Sequence, residues 1–439
     1  MGGGSGVDRC EASQHSRRLS EGCGSEPGWS RVGAGRYRER GMPALLPHLV
    51  TITGQDRPGM AEQVFFVLNA GGFDVRDVEQ VRIHGRLLLC VEVMGVAEGE
   101  GEHLRRAIAD QFTGVGVHVT IAPLVEEDSR SGHDHFLVTV LAPEISASSL
   151  EGVSGRIAAC RGNIERIVRL AAYPVHSYEF AVAGGNLDLL RRALAEEAVR
   201  SEIDIAVQVD GLHRRAKHLI VLDADSTLLQ GEVIDLLAAQ CGCGAEVAAV
   251  TEAAMTGQID FEQALRQRVQ LLAGLDESDL EVVRQSLLLT PGARTLVRTL
   301  KRLGYETAVV SGGFTQVIDA VVADLGIDHL AANELEVKDG VLTGGLVGPI
   351  VDRVGKAEAL MRFAAAAGVP QSRTIAVGDG ANDLDMLAAA GLGIAFNAKP
   401  MVRDAADTAL TVPYLDAILF LLGISRGDVE SADQMEQAT

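Results

Sequence analysis

No two cysteines stand at metal-binding spacing: Cys10, Cys23, Cys90, Cys160, Cys241 and Cys243 include no Cys-x-x-Cys pair. A zinc site or a disulfide framework is therefore not expected, and a reducing cytoplasm is the compartment that fits. Cys241 and Cys243, a Cys-x-Cys with no His or second pair to complete a metal set, read as turn or packing residues. Long apolar runs are missing too. The longest, Tyr414 to Ile424, is about half of the roughly 20 residues that a membrane span needs and contains Asp416, so it reads as a buried helix. Positive charge is in short supply, with 39 Lys and Arg against 60 Asp and Glu for a net −21. Without a basic patch, neither nucleic acid nor an anionic membrane is an expected partner. Residues 1–44, rich in Gly, Ser and Arg, lack the apolar segment of a signal peptide and read as a disordered tail, with Met42 as the natural start.

What remains is ordinary globular material, 47% hydrophobic and 23% charged over 439 residues, enough for about three domains. Strand-like and helix-like runs in the order βαββαβ occupy residues 45–124. After an acidic, Ser- and Gly-containing linker at 125–133 the same order recurs over 134–212. In the first copy Gly54-Gln55-Asp56-Arg57-Pro58-Gly59 follows strand one, with Asp56 as the expected N-cap and Pro58 as the first helical residue. Backbone N–H groups there are free to meet a carboxylate. The second copy has Ala142-Pro143-Glu144-Ile145 at that place.

From Lys217 onward strands alternate with long helices, the signature of a parallel α/β sheet whose ligands sit at the carboxyl ends of strands. Three such ends carry reactive groups. The first is Asp223-Ala224-Asp225-Ser226-Thr227, two carboxylates that can divide nucleophile and acid–base duties. The second is Ser311-Gly312-Gly313, a hydroxyl and glycine N–H groups suited to phosphate oxygens. At the third, Gly378-Asp379-Gly380-Ala381-Asn382-Asp383, two more carboxylates join Asp223 in a set that Mg²⁺ prefers. Lys356, between the second and third, can neutralise a phosphate and Asp223 together. It does not belong to a P-loop, since Ala357 follows it and no glycine lies five residues before Gly355.

The first two strands of this half are separated by far more than the roughly 30 residues of a simple crossover. The excess, about 234–289, is a helical insert placed to cover the site. In it Phe261, Leu265, Val269 and Leu272 form one apolar stripe, and Arg268 lies two turns from Phe261 on the same side. Arg268 either snorkels along that face or clamps a carboxylate. Glu232 is either a favoured first-turn acid or a partner for an ammonium.

The four ordered elements resemble the haloacid dehalogenase superfamily of aspartate-nucleophile phosphotransferases, and the second Asp of the first motif resembles its phosphatase branch. The Gly54–Gly59 loop resembles that of ACT domains, ferredoxin-like modules that bind amino acids or only dimerise. With Glu232, the segment Met255 to Val269 and tandem ACT modules ahead, the chain is similar to the phosphoserine phosphatase family in its mycobacterial and related forms. That resemblance implies an α/β architecture of a Rossmann-like parallel-sheet core with a helical cap over residues 213–425, two ACT domains before it and a disordered tail at 426–439. It implies Asp223 as nucleophile, Asp225 as general acid and base, and Lys356, Ser311 and Gly312 on the phosphate, with Asn382 orienting them. Glu232 would take the substrate amino group, Arg268 its carboxylate, and Phe261 would form the apolar lid, with Met255 also among the substrate-binding residues. Mg²⁺ would sit on Asp223, Asp225, Asp379 and Asp383. L-serine near Gly59 is the implied effector, in a homodimer that performs the last step of serine biosynthesis. Rival readings are a phosphatase for phosphothreonine, phosphohomoserine or phosphorylated proteins, and an amino-acid sensor with a vestigial phosphatase domain.

Overall fold

The computed structural model describes residues 47–437 apart from 98, 125–133, 212–213 and 215, so the expected N-terminal tail and linker lie outside the described residues. The first βαββαβ copy is β1 (His48–Gln55), α1 (Met60–Ala70), β2 (Asp74–Ile83), β3 (Arg86–Met94), α2 (Gly101–Gln111) and β4 (His118–Pro123). The second is β5 (His135–Ala142), α3 (Ala147–Ala159), β6 (Asn163–Ala171), β7 (His176–Ala183), α4 (Leu187–Ser201) and β8 (Asp204–Val209). Each forms an antiparallel sheet, ordered β2-β3-β1-β4 in one and β6-β7-β5-β8 in the other. Alternation drives this: Val50 and Ile52 of β1 and Leu87, Leu89, Val91 and Val93 of β3 point to one face and are buried against α1 and α2. The helix after β1 starts later than the sequence suggested. Gly59, at φ 89°, is its N-cap, because only glycine takes that left-handed turn without strain. Asp56 instead pairs with Arg82 at 2.8 Å.

The remainder is β9 (Leu219–Asp223), α5 (Val233–Cys241), α6 (Gly244–Met255), α7 (Phe261–Leu271), α8 (Glu277–Ser286), α9 (Ala293–Arg302), β10 (Glu306–Phe314), α10 (Thr315–Leu325), β11 (His329–Lys338), β12 (Val341–Val347) and α11 (Arg353–Ala366). After these come β13 (Thr374–Gly378), α12 (Leu384–Ala389), β14 (Gly393–Phe396), α13 (Pro400–Ala405), β15 (Thr408–Leu410), α14 (Ile418–Leu421) and α15 (Arg426–Gln437). Seven strands form one sheet in the order β12-β11-β10-β9-β13-β14-β15. All neighbours are parallel except β11 and β12, which make an antiparallel hairpin at one edge. Every residue of β9 is buried, as a central parallel strand covered on both faces requires. The helical insert is α5 to α8; Cys241 and Cys243 are turn and packing residues as expected, and beyond that expectation they form a disulfide between the end of α5 and the start of α6. Gly242 turns left-handed between them and brings their Cα atoms to 5.4 Å. The stretch expected to be a C-terminal tail folds as α15, with Val429 buried. No helix among the described residues is long and apolar enough to cross a membrane.

Candidate active site

The chain leaves β9 toward β10 on one side and later returns to β13 on the other, so the carboxyl end of β9 is the switch point of the sheet. Asp223 is its last residue and is 2% exposed. The chain then turns sharply, with Ser226 at φ 57°, and this places Asp225 back against the sheet end. Asp225 Oδ1 accepts from Val233 N–H at 2.7 Å and Oδ2 from the Ser311 hydroxyl at 3.0 Å. Lys356, 1% exposed in the first turn of α11, donates to Asp223 Oδ1 and, at 2.7 Å, to Asp383 Oδ1. Asp383 Oδ2 accepts from Gly380 N–H at 2.9 Å. Gly378 leaves room for this: a Cβ there would come within 2.4 Å of the Asp383 carboxyl carbon. Asp379 accepts from Thr227 Oγ1 at 3.5 Å, and Asn382 is half-buried beside Gly380.

Negative charge outweighs positive in this cluster. Burial raises the Asp223 carboxyl well above the usual range; the Lys356 charge opposes that, and Asp383 and Asp225 add to it. Burial disfavours the Lys356 ammonium, but Asp223 and Asp383 outweigh it and keep Lys356 protonated. Burial pushes Asp379 up to about 6, with the Asp383 charge next, and also raises Asp225 against its two donors. Carboxylate oxygens of Asp223, Asp379 and Asp383 all lie within 4.8 Å of one another. An all-oxygen set with surplus negative charge fits a hard divalent cation rather than a thiophilic one.

The insert supplies the rest. Phe261 opens α7 after its N-cap Asp260, and its ring tip lies 3.6 Å from where a Cβ on Gly312 would be. Arg268, on the same helix, is half-buried and reaches only the Ala264 carbonyl, at 3.4 Å. No carboxylate among the described residues is within ion-pairing distance of it. Burial lowers its pKa, and the charges of Glu232, Asp235 and Asp225 offset part of that. Glu232 is the N-cap of α5 and accepts from Ser226 Oγ at 3.2 Å. Although the residue as a whole is exposed, partial desolvation and then the charges of Asp225 and Asp379 push its carboxyl up to about 7. Met255 closes α6, and its side chain lies outside the described residues. The structure thus brings Asp223, Asp225, Ser311, Lys356, Asp379 and Asp383 to one sheet end. Gly59 belongs to the first βαββαβ copy, where it lines a cavity of about 370 Å³ with Arg57, Gln80, Arg82 and Leu87. Asp235, one turn into α5, had no role in the sequence reading. Its only signal was its i+3 spacing from Glu232.

An open α/β sheet with carboxylates and a lysine at its switch point, under a helical insert, defines a haloacid dehalogenase-type hydrolase. Family models agree, matching a haloacid dehalogenase-like hydrolase at residues 220–388 and ACT domains at 47–121 and 133–208. A phosphoserine phosphatase of Streptomyces coelicolor is 54% identical over 90% of this chain and 95% of its own length. One of Mycobacterium tuberculosis is 48% identical over 89% of this chain and 97% of its own. Among solved structures, a probable phosphoserine phosphatase from Vibrio cholerae is similar, with a TM-score of 0.54 and 33% identity over 70% of this chain and 92% of that one. The chain belongs to the phosphoserine phosphatase family, in the form that carries two ACT domains. It is a phosphatase hydrolase by family.

Proposed function

We propose that the chain hydrolyses O-phospho-L-serine to L-serine and phosphate through an aspartyl-phosphate on Asp223, the last step of serine biosynthesis, in the cytoplasm. One observation carries this reading: Asp223, Asp225, Ser311 and Lys356 converge beneath a helix bearing Phe261 and Arg268, which pairs with no carboxylate among the described residues. Asp223 attacks phosphorus in line, and the phosphorus–oxygen bond to serine breaks. Asp225, its proton affinity raised by burial, gives its proton to the departing serine oxygen. It then takes a proton from the water that attacks the same phosphorus, which frees phosphate and restores the Asp223 carboxylate. Lys356 and the backbone at Gly312 hold the equatorial oxygens, the Ser311 hydroxyl holds Asp225 beside them, and Asn382 orients the network. Asp223, Asp379, Asp383 and the Asp225 backbone carbonyl would hold Mg²⁺, whose charge, when bound, offsets repulsion between two anions.

Specificity in this reading follows charge. Glu232 takes the ammonium, Arg268 the carboxylate, and Phe261 closes over the middle. Serine also acts as effector in the first ACT domain, where Gly59, Arg57 and Arg82 give a carboxylate both N–H and guanidinium donors. The assembly is a homodimer, for which the exposed apolar residues Val75, Val78, Val81 and Ile83 on edge strand β2 supply a surface. The direct test is phosphate release from phosphoserine with Mg²⁺ or EDTA. Wild-type turnover that needs the cation and disappears in Asp223→Asn supports the reaction; turnover that survives Asp223→Asn rejects the nucleophile.

A further inference from the structure

β10 and β11 run in register from Ala308–Val310 against His329–Ala331, and meet again where Phe314 pairs with Asn333. Between those points β10 has three residues and β11 has one, so Ser311, Gly312 and Gly313 bulge out of the ladder. A bulge separates backbone groups from their strand partners, and a buried carbonyl left that way is costly. The Gly312 carbonyl is nevertheless satisfied, because Asn333 Nδ2 donates to it at 2.8 Å. The oxygen of the same amide accepts from Val351 N–H, also at 2.8 Å. Val351 directly precedes Asp352, the N-cap of the helix that carries Lys356. Asn333 is 2% exposed, so its amide sits largely away from solvent.

We propose that Asn333 is a positioning residue for Asp225 and acts through the Gly312–Gly313 peptide. The inference rests on the reading of Asp225 as proton donor given above. The planar peptide that carries the Gly312 carbonyl also carries the Gly313 N–H, so fixing one aims the other. Gly313 N–H donates to Ser311 Oγ at 2.7 Å, which leaves the Ser311 proton directed at Asp225 Oδ2, 3.0 Å away. Four links therefore join a buried strand residue to the acid–base carboxylate. The Val351 bond ties the same amide to the helix that brings Lys356 to Asp223. Asparagine alone provides this at that length: an ionised Asp has no donor and a Leu has neither group.

The signature is dependence on the leaving group. Serine must receive a proton as its bond to phosphorus breaks, whereas p-nitrophenolate leaves without one, and kcat/KM reports the steps through that cleavage. The full-length protein with saturating Mg²⁺ is assayed as wild type, Asp225→Asn, Asn333→Ala and Asn333→Asp on both esters and on glycerol 2-phosphate, an alkyl ester without a carboxylate that needs the same proton and should fall with phosphoserine. Asn333→Ala should lose about tenfold to a hundredfold in kcat/KM on phosphoserine and less than about threefold on p-nitrophenyl phosphate. Asn333→Asp keeps the Val351 acceptor but opposes an oxygen to the Gly312 carbonyl. It should give the same split, and it decides the matter if the alanine variant fails to fold. Equal losses on both esters, while Asp225→Asn shows the split, would overturn the role of Asn333 alone. Absence of a split in Asp225→Asn removes the acid–base reading, and the proposal with it.

Discussion

Arg268 is half-buried, bonded among the described residues only to a carbonyl, and held on a helix that also sets Phe261 against Gly312. A guanidinium in that state gains most from an anion that arrives with its own geometry, since a fork of donors matches a carboxylate. Arg268→Ala should lower kcat/KM on phosphoserine by about 10- to 100-fold, the equivalent of about 1.5–3 kcal/mol for a charged hydrogen bond. A carboxylate-free phosphomonoester should lose less than about threefold. Equal loss on both would return Arg268 to the snorkelling reading. At this scale the carboxylates that meet at the sheet end were legible in the sequence because each follows a β-branched run, and strand ends in parallel sheets are where reactive groups collect. Asn333 was not legible. A single Asn inside His329–Lys338 has no periodicity, and its value depends on a bulge in a different strand.

Elements differ in how openly they announce themselves. Two of the insert helices have clear starts, α7 behind its N-cap Asp260 and α8 behind the capping box that Asp276 and Asp279 form. The β11–β12 hairpin was overlooked although it carried a signal: Asp339 and Gly340 both have positive φ, the requirement of the tight turn that Asp-Gly favours. Strands β14 and β15, of four and three residues, are too short to show a pattern. Helix α15 was misread as a tail because Val429 is its only buried apolar residue amid many charges. Arg302 bonds Asp433 and Glu436, Arg298 bonds Asp433, and the helix also lies against β6. Partly exposed ion pairs of this kind contribute about 0–1 kcal/mol each, less than the roughly 1.5–3 kcal/mol from burying a valine. Val429→Asp should therefore lower the thermal midpoint more than Arg302→Ala does, and calorimetry of the two variants would test that ranking. A larger drop for Arg302→Ala would mean that the charges, not the valine, hold the helix.

For the whole molecule, the two ACT copies share a topology but not a setting. The first closes its core within itself, from Val50 to Val119. The second shares a core with the catalytic domain: Leu141, Leu170, Val175 and Ala206 belong to one buried cluster with Ile220, Leu222 and Ile394. Polar ties reinforce this junction. Asp204 accepts from Thr411 N–H at 2.7 Å and from its hydroxyl at 2.9 Å, while burial raises its carboxyl. Arg214, between β8 and β9, pairs with Glu179 of β7 at 2.6 Å and donates to the Leu421 carbonyl at 2.9 Å. With those side chains almost fully buried, losing one partner would leave an uncompensated charge. The sequence pattern could show that the copies repeat, but not which one is fused, because burial on the far face of a sheet depends on what packs there. A chain that starts at Gly132 should therefore fold and turn over phosphoserine, with a thermal midpoint set by the same shared core. A chain that starts at Lys217 would expose several side chains, each stabilising by about 1.5–3 kcal/mol, together comparable with the 5–15 kcal/mol that holds a typical domain. It should aggregate or lose cooperative unfolding in calorimetry. The Gly132 chain also lacks the Gly59 cavity, so serine should inhibit it only as a competing product. Noncompetitive inhibition retained there would move the effector out of the first ACT domain, and a well-folded Lys217 chain would show that the second is not part of the catalytic core.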